Sequence, residues 1–192
     1  AATGERGIED AVMSCDVAAD LLGLAPDDVL VCSTGVIGEP LHASALVAAL
    51  PDLVGALAPD GGDGFARAIM TTDTVSKQAT ADAGPHRVGG AAKGVGMISP
   101  NLATMLAFIT TDASVARADL QRMADEQLKP RFNVLTVDAG TSTNDTVLLF
   151  ASGASGITAD PAELAEVVTA VCADLARQLI GDAEGSTKDI RI

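Results

Sequence analysis

The run Met105-Leu106-Ala107-Phe108-Ile109 restricts the fold more than any other feature of the chain. It is apolar throughout and too short for a helix, so it reads as a buried strand. Thr104 stands at its entrance. Just upstream, Pro100-Asn101 reads as a turn, because proline presets φ and asparagine bonds its own backbone. Thr104 thus lies at a loop-to-strand junction behind Ala103, whose side chain is too small to shield the peptide bond. A hydroxyl placed there can attack the preceding carbonyl, shift the acyl group from nitrogen to oxygen and leave Thr104 as a new N-terminus. The freed amine, with an ordinary pKa of about 7.7–8.0, could then act as base for the threonine's own hydroxyl. Threonine at a strand start is also ordinary β-propensity, and chemistry alone leaves both readings open.

With 192 residues, 48% of them apolar, the chain can bury one substantial domain or two small ones. No apolar run approaches the roughly 18 residues needed to span a bilayer, and Ala1 to Arg6 do not resemble a secretory signal. The net charge of −14 argues against nucleic acid as a partner, since phosphate binding needs clustered Lys and Arg. Cys15, Cys32 and Cys172 are odd in number, widely spaced and set in apolar sequence. They read as reduced core thiols of a cytoplasmic protein rather than a disulfide framework. His42 and His86 lie far from any cysteine, so neither a zinc site nor a Ser-His triad is expected. Gly94-Val95-Gly96 lacks the third glycine of a dinucleotide fingerprint and no phosphate loop is present, so no cofactor is expected.

Helical spacing of Ile8, Ala11, Val12, Cys15, Ala18, Ala19 and Leu22 predicts an amphipathic helix closed by Gly23. A strand is expected over 28–32, running into Ser33-Thr34-Gly35-Val36-Ile37-Gly38, where free N–H groups at a sheet edge could hold an oxyanion. Residues 43–57 have helical spacing, 60–64 form a glycine-dense loop, and 65–70 a short helix. A hairpin is expected around Gly84-Pro85, a helix over 114–128 ending before Pro130, strands over 133–137 and 147–151, and a long helix over 160–180 with Pro161 in its first turn.

Several motifs resemble those of the ornithine acetyltransferases, also called bifunctional glutamate N-acetyltransferases. Lys93-Gly94-Val95-Gly96-Met97 followed by Pro100-Asn101-Leu102-Ala103-Thr104-Met105-Leu106 is similar to their self-processing signature, with Leu102 in place of a common methionine. Ser33 to Gly38, Met70-Thr71-Thr72-Asp73-Thr74 and Gly181-Asp182-Ala183-Glu184-Gly185-Ser186-Thr187-Lys188 resemble further family motifs. So does Asp138 to Thr146, with one departure: Ala139-Gly140 stands where Gly-Asp is usual, and a carboxylate is lost.

The resemblance implies an α/β fold, a layered α-β-β-α sandwich, cut between Ala103 and Thr104 into a segment 1–103 and a segment 104–192 that share one catalytic domain. It also implies a longer protein: the chain reads as a fragment whose family continues past Lys188 into a second domain. Thr104 would be the nucleophile and Thr34 and Gly35 the oxyanion hole. Thr71, Lys93 and Glu184 would bind substrate, with Thr72 a secondary candidate. The implied reaction moves acetyl from N2-acetylornithine to glutamate in arginine biosynthesis through an acetyl-threonine, with acetyl-CoA a further donor in some relatives. An α2β2 assembly of cleaved chains is implied. The alternatives are a self-processing aminopeptidase or amidase that passes acyl groups to water, and an unprocessed, inactive relative in which the lost carboxylate prevents cleavage.

Overall fold

A computed structural model of the chain describes residues 1–99 and 102–190. The Pro100-Asn101 turn lies outside the described residues. The chain forms two compact units, 1–61 and 62–192.

In the first unit, α1 (Glu5–Leu22) packs against α2 (Ala43–Gly55). Gly23 ends α1 as the spacing predicts: at φ 68° it is left-handed, and Leu24 N–H returns to Ala19 O at 2.9 Å. This closure satisfies carbonyls that the last turn would otherwise leave open. The predicted core face is only partly used. Ala19 is buried, whereas Ile8 and Val12 are exposed. The strand expected over 28–32 does not form: Pro26–Asp28 is a single 3₁₀ turn, and residues 29–36 pair with no strand. Val29, Leu30 and Val31 have β-propensity, but propensity without a partner for the backbone N–H and C=O groups does not make a strand.

The second unit is mixed α/β, as expected. Its four-stranded sheet has the order β1 (Lys77–Ala83), β2 (His86–Lys93), β5 (Leu106–Thr111), β6 (Thr146–Ala151), with only the last pair parallel. The β1–β2 hairpin turns at Gly84-Pro85, with Gly84 at φ 61°. The long helix α6 (Pro161–Gly181) covers one sheet face. Pro161 sits in its first turn as predicted, and Asp160 caps it, the carboxylate accepting from Ala162 N and Glu163 N. Leu164, Val168, Val171, Leu175 and Leu179 recur at helical spacing and are buried against Val88, Ala92, Ala107 and Ile109. Each such large side chain contributes about 1.5–3 kcal/mol. The helix comes so close that a Cβ on Gly90 would lie 2.9 Å from Leu175 and 3.2 Å from Val171. On the other face Phe108 meets Phe65 of α3 (Gly62–Ala68) edge to face, with ring centroids 5.0 Å apart. That helix begins within the stretch expected to be a glycine loop.

Two further expectations change. The helix over 114–128 starts at Arg117 and does not stop before Pro130: α4 (Arg117–Met123) passes through a π-helical turn over Ala124–Leu128 into α5 (Lys129–Phe132). The wider turn lets Pro130 occupy the first turn of α5, where its missing N–H is not needed. Residues 133–137 form no strand, yet the segment is held, with Leu135 buried and Val137 N–H donating to Ile98 O at 2.9 Å.

Candidate active site

The site grows from the end of β2. Antiparallel alternation carries the strand to Lys93, where Gly94, at φ 144°, turns the chain out of the sheet. A Cβ on Gly94 would lie 3.0 Å from Thr104 O and 3.5 Å from Met105 Cα, so only glycine lets the backbones of residues 94 and 104 come this close. Beyond it, β3 (Ile98–Ser99) and β4 (Leu102–Ala103) form a small antiparallel hairpin. Thr104 N–H extends that ladder by donating to Met97 O at 2.7 Å. The Ala103–Thr104 bond therefore lies at the foot of a hairpin, with Thr104 and Met105 linking it to β5. The Thr104 hydroxyl is buried and has no hydrogen-bond partner among the described residues. A buried hydroxyl left unpaired costs about 1–3 kcal/mol, so it is a polar group held ready for something other than the fold.

Lys93 is 1% exposed, and among the described residues its ammonium makes no hydrogen bond or ion pair. Burial pulls its pKa below the ordinary lysine value; Asp73 opposes that shift and Lys77 adds to it. Asp73 is the opposite charge that acts on Lys93 but makes no direct ion pair with it, so the ammonium keeps its hydrogen-bonding capacity for an anion.

Two further loops close on the same backbone. Glu184 N–H donates to Val95 O at 2.7 Å, which brings the glycine loop after α6 onto residues 95–96. The Glu184 carboxylate lies against Gly96, where a Cβ would meet Oε2 at 2.8 Å. The loop 71–75 is tied in through Asp73, which accepts Gly94 N–H at 2.7 Å and Thr71 N–H at 3.1 Å. Thr71, Lys93, Thr104 and Glu184 thus lie on segments that share one backbone crossing. Thr34 and Gly35 belong to the first unit, where the Thr34 hydroxyl is likewise buried and without a partner and Gly35 is exposed.

Sequence reasoning missed what fastens these loops. Lys77, fully buried, donates to Asp73 at 2.7 Å, to Asp182 at 2.6 Å and to Val75 O at 3.3 Å. Thr74 also donates to Asp182, from its N–H at 3.0 Å and from its hydroxyl. Burial pushes both carboxyls up, but the bonds from Lys77 and the surrounding donors outweigh it and hold both below the usual carboxylate range. The signal was present: period-2 alternation puts Lys77 on the face of Ala79, Ala81 and Ala83, the face that α6 buries.

These features place the chain among mixed α/β proteins built around a candidate threonine nucleophile. The chain belongs to the ArgJ family, whose family model matches residues 1–192. It is 47% identical over 192 residues to the arginine biosynthesis bifunctional protein ArgJ of Thermobifida fusca, covering 100% of this chain and 50% of that protein. The Streptomyces coelicolor protein of the same name is 45% identical over 192 residues, again 100% of this chain and 50% of the relative. That of Synechocystis is 44% identical over 197 residues, 97% of this chain and 48% of the relative. The chain thus spans about half the length of the curated relatives it matches. A crystal structure of the ArgJ protein of Bacillus halodurans is 36% identical with a TM-score of 0.42, over 52% of this chain and 54% of that one. No described helix is long and apolar enough to cross a membrane.

Proposed function

We propose that the protein to which this chain belongs moves an acetyl group from N2-acetylornithine to glutamate, as an arginine-biosynthesis enzyme with Thr104 as nucleophile. The observation that carries this reading is the buried Thr104 hydroxyl two residues ahead of β5, without a hydrogen-bond partner among the described residues, with the buried Lys93 at the end of the adjoining strand β2.

In this reading the Ala103–Thr104 bond cleaves itself, giving segments 1–103 and 104–192 and freeing the Thr104 amine. Thr104 Oγ1 attacks the acetyl carbonyl while its amine takes the hydroxyl proton. That proton passes to the departing α-amine of ornithine, leaving an acetyl ester on Thr104. The glutamate α-amine then attacks the ester, N-acetylglutamate leaves, and the hydroxyl is restored. Thr34 and Gly35 are assigned to the oxyanion, a role worth about 2.7–4 kcal/mol per donor. Lys93 receives the amino acid's carboxylate, Glu184 its amino group, and Thr71 orients it. Acetyl-CoA as a second donor, an α2β2 assembly and a cytoplasmic location complete the proposal.

Incubation with N2-acetylornithine alone should add the mass of one acetyl group to the segment that begins at Thr104. Glutamate should remove that mass as N-acetylglutamate. An uncut chain that acquires no acetyl group rejects the reading, and loss of the label to water at an equal rate without glutamate replaces transferase with amidase.

Gly96→Ala tests the part given to Glu184. The new methyl would collide with the carboxylate end of an exposed, flexible side chain, so Glu184 yields and the fold is kept. Losing one charge-assisted bond costs about 1.5–3 kcal/mol. Steady-state kinetics should therefore show KM for the amino acid rising roughly ten- to hundredfold, with self-cleavage complete and Tm little changed.

A further inference from the structure

We propose that Asp138 is the positioning residue for the Ala103–Thr104 bond, acting through the backbone of Met97; this rests on the self-cleavage reading above. Two observations meet at Met97. Its carbonyl accepts the N–H of Thr104 at 2.7 Å, the nitrogen that must leave when the bond breaks. Its φ of 52° lies in the left-handed region that side chains other than glycine rarely adopt.

Asp138 is the group that keeps Met97 there. One carboxylate oxygen accepts Met97 N–H at 2.7 Å. The other accepts Ile98 N–H at 3.2 Å and Gly140 N–H at 3.0 Å. Val137 N–H adds a bond to Ile98 O at 2.9 Å, so the whole 137–140 bend is fitted to the base of the hairpin. Burial raises the Asp138 pKa, but these N–H groups outweigh it and keep the carboxylate charged.

The chemistry explains why this bend matters. Thr104 Oγ1 forms a bond to the carbonyl carbon of Ala103, the bond from that carbon to Thr104 N breaks, and the hydroxyl proton ends on the nitrogen. Water then hydrolyses the ester, releasing the Ala103 carboxylate and restoring the hydroxyl. Throughout, the Met97 carbonyl accepts from the same nitrogen, first as an amide and then as an amine, and so fixes the direction in which Thr104 N can move. Asp138 makes all of these anchoring bonds from its own side chain, and Gly140 takes part only through its backbone N–H.

The test is a time course of intact mass on the purified protein and its variants. Asp138→Ala should slow cleavage on the order of a hundredfold, the usual consequence of misplacing a reacting group by about 1 Å. Asp138→Asn, which keeps one acceptor oxygen, should fall between. Adding Met97→Gly to Asp138→Ala should recover part of the rate, because glycine adopts this φ unaided; a general loss of folding would give no such rescue. Should Asp138→Ala fail to fold, Asp138→Asn with and without Met97→Gly decides by the same comparison. Equal rates in wild type and Asp138→Ala overturn the assignment and leave the threonine-nucleophile reading standing. Slow cleavage that Met97→Gly does not raise overturns it as well, and an uncut wild type overturns both.

Discussion

Thr104→Ala is expected to give one uncut polypeptide with no acetyl-enzyme and no transfer, a loss on the order of 10⁶-fold, as when a nucleophile is deleted from a comparable acyl-transfer site. Thr104→Ser should keep both cleavage and transfer at reduced rates, since it retains the oxygen and, once cut, the amine. Stability should move the other way. The hydroxyl is buried without a hydrogen-bond partner among the described residues, and removing an unsatisfied polar group relieves a penalty of about 1–3 kcal/mol. Thermal unfolding of Thr104→Ala should therefore occur at or above the wild-type Tm. An inactive variant that also melts far below wild type would mean that Thr104 supports the fold, and its activity loss would say nothing about a nucleophile.

Local signals that predicted correctly were those with a local cause. Gly23 ends α1 because only the chain's own last turn has to be satisfied, and Asp160-Pro161 starts α6 for the same reason. The β1–β2 hairpin follows from Gly84-Pro85. Strands 28–32 and 133–137 failed because a strand needs a partner, which an apolar triplet cannot announce. The helix running past Pro130 failed differently: a π-helical turn upstream resets the register, and nothing in the composition of Ala124–Leu128 marks it. Of the candidate site, Thr71, Lys93, Thr104 and Glu184 stand in motifs that resemble the family's. Their fastening was not legible, because Asp73, Lys77 and Asp182 are far apart in sequence and act only once β1 and α6 are packed. The bonds from Met97, Ile98 and Gly140 to Asp138 were hidden in the same way, because they form only where the 137–140 bend meets the hairpin base.

Lys77→Met should cost about 3–5 kcal/mol of stability, the usual penalty for removing one partner from a buried ionic cluster. Lys77 and Asp73 side chains are fully buried and that of Asp182 is 6% exposed, so water cannot replace the lost ammonium. What remains is two carboxylates facing each other's charge in the interior. Adding Asp73→Asn and Asp182→Asn should return much of the loss, because neutral amides tolerate burial far better. The pH dependence should separate the two states. In the wild type both carboxyls titrate below their ordinary range. Their contribution is therefore present above the unfolded carboxylate pKa of about 3.9 and is lost as pH falls through the folded values. In Lys77→Met only the backbone and Thr74 donors are left to offset burial, so the same carboxyls titrate closer to the unfolded value and less stability is lost in acid. Urea midpoints measured from pH 7 down to 2 should converge: the wild type weakens at the acid end more than the variant does. A constant gap across that range would mean that Lys77 contributes by packing its methylenes. The bridge would then not be the electrostatic tie that holds the loops of Thr71 and Glu184 to the backbone beside Thr104.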